Sequence, residues 1–367
     1  MRVIEQGEKI AVLGAGHGGQ AMAGYLGMIG YYVKLYNRTD ERLEPIRKIG
    51  GIQLAGVIIG FGEVAMATSD IGEAIDGVKL ILVAVPATAH KFIAQQIAPY
   101  LTDGQIIVLN PGRTGGALEF STILKGCNCK ADVVISETQT FIYASRAINP
   151  AQVHIFRVKN SIPVAAFPAY RTPEVLSSLR VPYPQFIPGD NVLKTSLDNI
   201  GAVFHPSITI LNAARIESTH GDFEYYTDGI TPSVAKILEV IDKERVEVAF
   251  ALGIQAITAR EWLYIAYNAV GLSLYEAISN NSGYRGIKAP ATIYNRYITE
   301  DIPTSLVPIA SIGEMLGVET PIIRSMIHMG SLLHNKDYWK EGRKVESLGL
   351  AGLSVRDVRR LVMEGEV

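Results

Sequence analysis

The sequence predicts an α/β chain: an N-terminal doubly wound parallel sheet followed by an all-helical C-terminal domain. Three observations predict it. Short apolar runs alternate with amphipathic stretches through the first half. A glycine-rich turn joins the first run to the first helical stretch. After residue 190 the strand-like patterning gives way to long helical patterns.

The apolar runs are "KIAVLG" (9 to 14), "YYVKLY" (31 to 36), "VKLILVAVP" (78 to 86), "QIIVLN" (105 to 110) and "ADVVIS" (131 to 136). Most are apolar at consecutive positions, the pattern of strands covered on both faces. Amphipathic stretches at 20 to 28, 40 to 49 and 89 to 100 separate them. Further β-like runs follow at 152 to 158 and 162 to 168, then the proline-rich "VPYPQFIPGD" at 181 to 190. Prolines break elements, so the domain boundary is expected there, giving domains of residues 1–188 and 189–367. In the second, helical patterns cover 193 to 204, 207 to 217, 231 to 252 and 258 to 267.

Composition supports two folded domains and excludes several functions. The 367 residues are 48% hydrophobic and 19% charged, enough for two buried cores. The net charge is −2, from 34 basic and 36 acidic side chains, so no basic excess exists to bind nucleic acid. No apolar run is long enough to span a bilayer, and the N-terminus has no signal-peptide core; a cytoplasmic protein is expected. Cys127 and Cys129 read as loop thiols in a reducing compartment, and two such ligands do not make a metal site.

The turn is "AVLGAGHGGQ". Gly14-x-Gly16-x-x-Gly19 follows a strand and opens a helix, with Gly18 as a fourth glycine. Gly14 permits the tight turn, Gly16 lets a diphosphate reach the backbone, and Gly19 lets helix and strand pack closely. In this context the motif predicts a dinucleotide site on a Rossmann domain. His17 reads as a lining residue, and Pro86, closing the run 78 to 86, is placed with the cofactor-binding residues. An acidic residue that grips a ribose hydroxyl is expected about 20 residues past the loop. Asn37 and Arg38 stand there instead. An arginine attracts a 2′-phosphate that a carboxylate would repel, so NADP is expected ahead of NAD.

Acid–base chemistry beside a nicotinamide needs a proton carrier. His205 sits in "SLDNIGAVFHPSITILNAAR", and Pro206 is expected to start a new helix, leaving His205 at a junction. From composition alone it is either a satisfied core histidine or a catalyst. In "NRYITEDIPTSLVP", Arg296, Glu300 and Asp301 crowd together, either as a solvated charged loop or as an Asp that orients a His beside an Arg that grips a carboxylate.

"AVLGAGHGGQAMAGYLG", "LNPGRTGGALEF", "TSLDNIGAVFHP", "ILNAARIES", "YRGIKAP", "RYITEDIPTSLVP" and "GRKVESLGLAGLS" occur in order over nearly the whole chain. Together they resemble the octopine/nopaline (opine) dehydrogenase family. The resemblance implies a Rossmann domain and a helical domain with the active site in the cleft between them. It implies an enzyme that joins an L-amino acid to a 2-oxo acid, typically pyruvate, and reduces the imine with NADH or NADPH. The family's N-x5-H-P segment gives Asn199 and His205, and its Asp five residues after an Arg gives Arg296 and Asp301. His205 is then the general acid–base, Asp301 its orienting partner, Arg296 a carboxylate clamp, and Asn199 a ligand of substrate or nicotinamide. One departure bears on the cofactor: where family relatives carry an acidic residue after the second strand, this chain has Asn37-Arg38, which puts NAD in doubt. Family analogy also implies a homodimer, and neutral, aliphatic amino acids as substrates.

Two other readings stay open. One is a 2-hydroxyacid or ketopantoate-type reductase. That type would rely on a Lys in the helical domain, where Lys194 lies in a different local pattern. The other is a dinucleotide sensor without turnover, which would need no acid–base pair.

Overall fold

The computed structural model describes residues 4–366. Its first strand, β1 (Lys9–Leu13), is apolar on consecutive positions because both faces are covered: Ile10 to Leu13 are fully buried. The strands that follow are β2 (Tyr32–Tyr36), β3 (Gly51–Gly56), β4 (Gly60–Glu63), β5 (Met66–Thr68), β6 (Leu80–Val83) and β7 (Ile106–Leu109). Then come β8 (Val134–Thr138), β9 (Tyr143–Asn149), β10 (Gln152–Val158), β11 (Ile162–Phe167) and β12 (Phe186–Pro188).

Eight of them form one sheet in the order β12-β11-β8-β7-β6-β1-β2-β5, parallel except where β11 runs antiparallel to β8. Within it, β5-β2-β1-β6-β7-β8 is the strand order of the doubly wound dinucleotide fold, with its switch point between β1 and β6. The run 152 to 158 is a strand, but it lies in a separate four-stranded sheet, β4-β3-β10-β9. The sequence reading missed β3 and β4. Their glycines, poor strand formers, serve close packing on the helix His17–Met28. A Cβ on Gly62 would run into the Gly24 carbonyl, and one on Gly27 into the Glu63 carbonyl.

The chain divides into two compact units. The first comprises the chain up to Gly112, Gly116–Thr195 and the chain from Arg359 onward; the second is Arg113–Gly115 with Ser196–Val358. This division differs from the expected boundary after 188: β12 lies in the sheet unit as expected, but residues 189 to 195 and the segment from Arg359 belong to that unit too, and Arg113–Gly115 belongs to the other.

The second unit is helical. Pro232–Ala251 starts where Thr231 caps it, the Thr side chain accepting the Val234 amide and Pro232 filling the first turn. Ala259–Tyr267 starts on a capping box between Thr258 and Glu261. Fully buried Arg245 ties these helices together: it pairs with Asp242 at 2.6 Å and reaches the carbonyls of Leu197 and Ile257. Asp242 in turn accepts the Ala259 amide at 2.7 Å.

The expectation for Pro206 requires correction. The helix Gly201–Leu211 runs through it, so His205 lies inside a helix and not at a junction. A proline removes one amide donor without ending a helix whose other side chains are buried, as Val203, Phe204, Ile208 and Ile210 are here. The break falls instead at Asn212, before Ala213–Thr219. Among the described residues no helix is long and apolar enough to cross a membrane.

Candidate functional site

In the sheet unit, the glycine loop links β1 to the helix His17–Met28. Gly14 has φ +114°, and a Cβ there would lie 2.7 Å from Val85 Cγ1 and 2.8 Å from the Ala84 carbonyl. A Cβ on Gly19 would strike the Gly14 carbonyl. These two glycines are thus required by the turn itself. Gly16 differs. It is the N-cap of the helix with no side-chain cap, and the space over it is open except for Arg42 Nη1, 3.8 Å from its missing Cβ. The helix has no acidic residue in its first turn, so its end offers amides and positive potential to an anion. Gly18 lies under the Phe141 ring, 2.6 Å from where its Cβ would be.

Asn37 braces this loop: its Oδ1 accepts the Ala15 amide at 3.2 Å, and its Nδ2 donates to the Thr39 carbonyl at 2.9 Å. Arg38 is exposed, its guanidinium 5.9 Å from the centre of the Phe92 ring. Asp40, between Arg38 and Arg42, is held by Arg47 at 2.8 Å. That hydrogen bond keeps its carboxyl below its ordinary pKa. Pro86 is exposed just past β6, where it caps a short turn. His17 Nδ1 accepts the Ala147 amide at 2.8 Å. A glycine loop open at Gly16, ending on an uncapped helix beside Arg42, fits a dinucleotide.

The second cluster lies wholly in the helical unit. His205 projects from Gly201–Leu211, and its Nδ1 is 3.0 Å from Asp301 Oδ2. Asp301 is fully buried, and its other oxygen lies 2.9 Å from Arg113 Nη1. Arg113 Nε also faces Glu300 Oε1 at 3.5 Å. Burial pushes the Asp301 carboxyl up, but Arg113 first and then His205 outweigh it, and its pKa falls below the ordinary value. Arg113 holds φ +61°, a left-handed conformation that disfavours a side chain, and it is buried.

Immediately after Asp301 the chain makes a π-helical turn, Ile302–Leu306. Its widened ladder is satisfied from outside: the Pro303 carbonyl accepts the Arg343 amide at 2.9 Å, and the Thr304 carbonyl accepts the Thr114 amide at 3.1 Å. Ser305, in the same turn, accepts from Asn199 Nδ2 at 2.9 Å. Gly201 sits among these groups, its missing Cβ 3.0 Å from Arg113 Nη1, 3.2 Å from His205 Cε1 and 3.3 Å from Asn199 Oδ1. The structure therefore brings Asn199, His205 and Asp301 together. Arg296 lies at the edge of the cluster: its side chain is 67% exposed and its Nε stands 3.9 Å from buried Glu300 Oε2.

The sequence reading missed Arg113, Tyr297 and Arg42. The signal for Arg113 was present in "NPGRTGG", a lone cation framed by glycines just past a buried strand. Tyr297 stacks on His205, with ring centres 4.4 Å apart. Nothing in the spacing of Arg42 marks its place over Gly16.

The chain is similar to known dehydrogenases in both of its units. Residues 188–334 match the family model for the NAD/NADP octopine/nopaline dehydrogenase α-helical domain. Residues 9–137 match the N-terminus of NAD-dependent glycerol-3-phosphate dehydrogenase. The opine dehydrogenase of Arthrobacter sp. (strain 1C) is 40% identical over 353 residues, covering 96% of this chain and 98% of that one. Two solved structures share the fold. An octopine dehydrogenase with NADH and L-arginine superimposes with a TM-score of 0.80 at 21% identity, over 98% of both chains. A yersinopine dehydrogenase with NADP+ does so with a TM-score of 0.73 at 16% identity, again over 98% of both chains.

Proposed function

The chain belongs to the octopine/nopaline (opine) dehydrogenase family, and from that premise we propose that it condenses an L-amino acid with pyruvate and reduces the product with NADPH. It is an NAD(P)-dependent oxidoreductase of the class acting on secondary amines. The observation that carries the catalytic reading is the buried Asp301, within 3.0 Å of His205 on one oxygen and 2.9 Å of Arg113 on the other.

With a carboxylate at Nδ1, the imidazole keeps its fixed proton there, and Nε2 is the nitrogen that exchanges. As the amino acid nitrogen bonds to the oxo carbon it gives up two protons, and His205 Nε2 relays them to the oxo oxygen, which leaves as water and leaves a C=NH+ bond. A nicotinamide bound at the glycine loop would supply the hydride to this carbon. The resulting amine takes one proton from solvent, and the product is a secondary-amine dicarboxylate. Asp301 stays ionised and orients the ring. Exposed Arg296 is the clamp for a substrate carboxylate, and Asn199 orients the substrate or the nicotinamide amide. Glu300 and Asp301 are both engaged by Arg113, which supports an amino acid with a neutral side chain.

NADP is the proposed cofactor because Asn37 replaces a carboxylate, Arg38 and Arg42 flank the loop, and Asp40 is neutralised by Arg47. Incubation with NADPH, pyruvate and a pool of neutral amino acids tests the reading. Oxidation should require both carbon substrates. Oxidation with pyruvate alone would make the protein a simple reductase, and none at all would make it a sensor. Tighter binding of NADH than NADPH would remove the cofactor assignment.

A further inference from the structure

The torsion that swings an imidazole about its Cβ–Cγ bond has broad wells, so one hydrogen bond at Nδ1 leaves the ring free to rock. Here the ring face is covered as well. Tyr297 lies on His205 at 4.4 Å between centres and 27° between planes. Tyr225 lies on Tyr297 at 5.1 Å and 25°. Tyr225 is fully buried, and its hydroxyl is 2.7 Å from the carbonyl oxygen of His205 itself. The Thr209 hydroxyl is 2.8 Å from that carbonyl and 2.8 Å from the Tyr225 hydroxyl. The stack thus begins on the side chain of His205 and returns to its main chain. Tyr297 is fixed separately, its amide donating to Asn295 Oδ1 at 2.9 Å.

We propose that Tyr297, backed by Tyr225, is a positioning residue that sets the plane of the His205 imidazole and so the direction of Nε2. The inference rests on His205 being the acid–base group. The groups facing the imidazole are Asp301 at Nδ1, Arg113 across the Gly201 gap, and the Tyr297 face.

Three variants test this. Tyr297→Leu removes the face. It should lower kcat roughly 10- to 100-fold and leave KM for pyruvate and Kd for NADPH within about twofold. Tyr297→Phe keeps the ring and should restore kcat to within about twofold. Tyr225→Phe keeps every ring and removes the tether, lowering kcat about 3- to 10-fold; it also serves if Tyr297→Leu does not fold. Wild-type kcat in Tyr297→Leu would overturn the proposal. So would equal losses in Tyr297→Phe and Tyr297→Leu, because the hydroxyl would then be the active part. Unchanged kcat in Tyr225→Phe would remove the tether. His205→Ala run in parallel reports on the underlying reading: near-normal turnover there overturns both it and the stack's role.

Discussion

The glycine loop and the His205 cluster are built by opposite means. The loop works by leaving side chains out: Gly14 and Gly19 sit where a Cβ would meet backbone, and Gly16 opens onto space. Its residues are neighbours in sequence, and its charges, Arg38 and Arg42, are exposed. The cluster is made of buried and half-buried side chains drawn from residues 113, 199 to 205 and 297 to 305. The difference teaches where damage should appear. A lesion in the loop should act on cofactor affinity, and a lesion in the cluster on turnover and stability.

The largest expected effect is in the cluster. His205→Ala should lower turnover roughly 10²–10⁴-fold while NADPH affinity, measured by titration, stays near wild type. Parallel loss of both would break the contrast. Arg113→Met comes next. It leaves Asp301 and Glu300 buried without their shared cation and should cost about 3–5 kcal/mol of stability in denaturant titrations.

The same variant carries a pH signature. The folded Asp301 carboxyl lies below its ordinary pKa, because Arg113 and His205 outweigh burial. Its contribution is therefore present above the unfolded value of about 3.9 and is lost as pH falls through the lower folded value. Without Arg113, burial should prevail, and the acid loss should begin at higher pH. Melting curves from pH 7 to pH 3 would check this.

A smaller effect is expected in the loop. Gly14→Ala places a methyl against Val85 and the Ala84 carbonyl at a positive φ. It should weaken NADH and NADPH alike, by about tenfold or more, with residual turnover at saturating cofactor. Unequal weakening would mean the loop senses the 2′-phosphate. The smallest effect on stability belongs to Arg296→Ala: its guanidinium is 67% exposed and stands 3.9 Å from buried Glu300, so its loss should cost within about 1 kcal/mol. If Arg296 clamps a carboxylate, the KM for that substrate should nevertheless rise. Unchanged KM and kcat would place the clamp elsewhere.

The same contrast explains what was legible in the sequence. The loop is local, so strand, turn and helix could be read in order from residues 9 to 28. The central parallel strands were legible because burial on both faces leaves continuous apolar runs. β3 and β4 were not, since their glycines answer to the helix packed on them and not to strand propensity. The cluster was half legible. His205 and Asp301 stood out only through family spacing, because nothing local distinguishes a histidine beside Val203 and Phe204 from a core residue. Arg113 is 187 residues from Glu300, and no periodicity links them.

That separation has a consequence for how the molecule can be cut. The helical unit takes in Arg113–Gly115, three residues from the middle of the sheet portion, along with Ser196–Val358. A gene fragment encoding only the continuous stretch would translate a bundle lacking its internal counter-ion. Asp301 and Glu300 would then face an apolar interior as two like charges. The helical portion is therefore not a detachable module, and recombination that exchanges it between relatives must carry the Gly-Arg-Thr-Gly segment too.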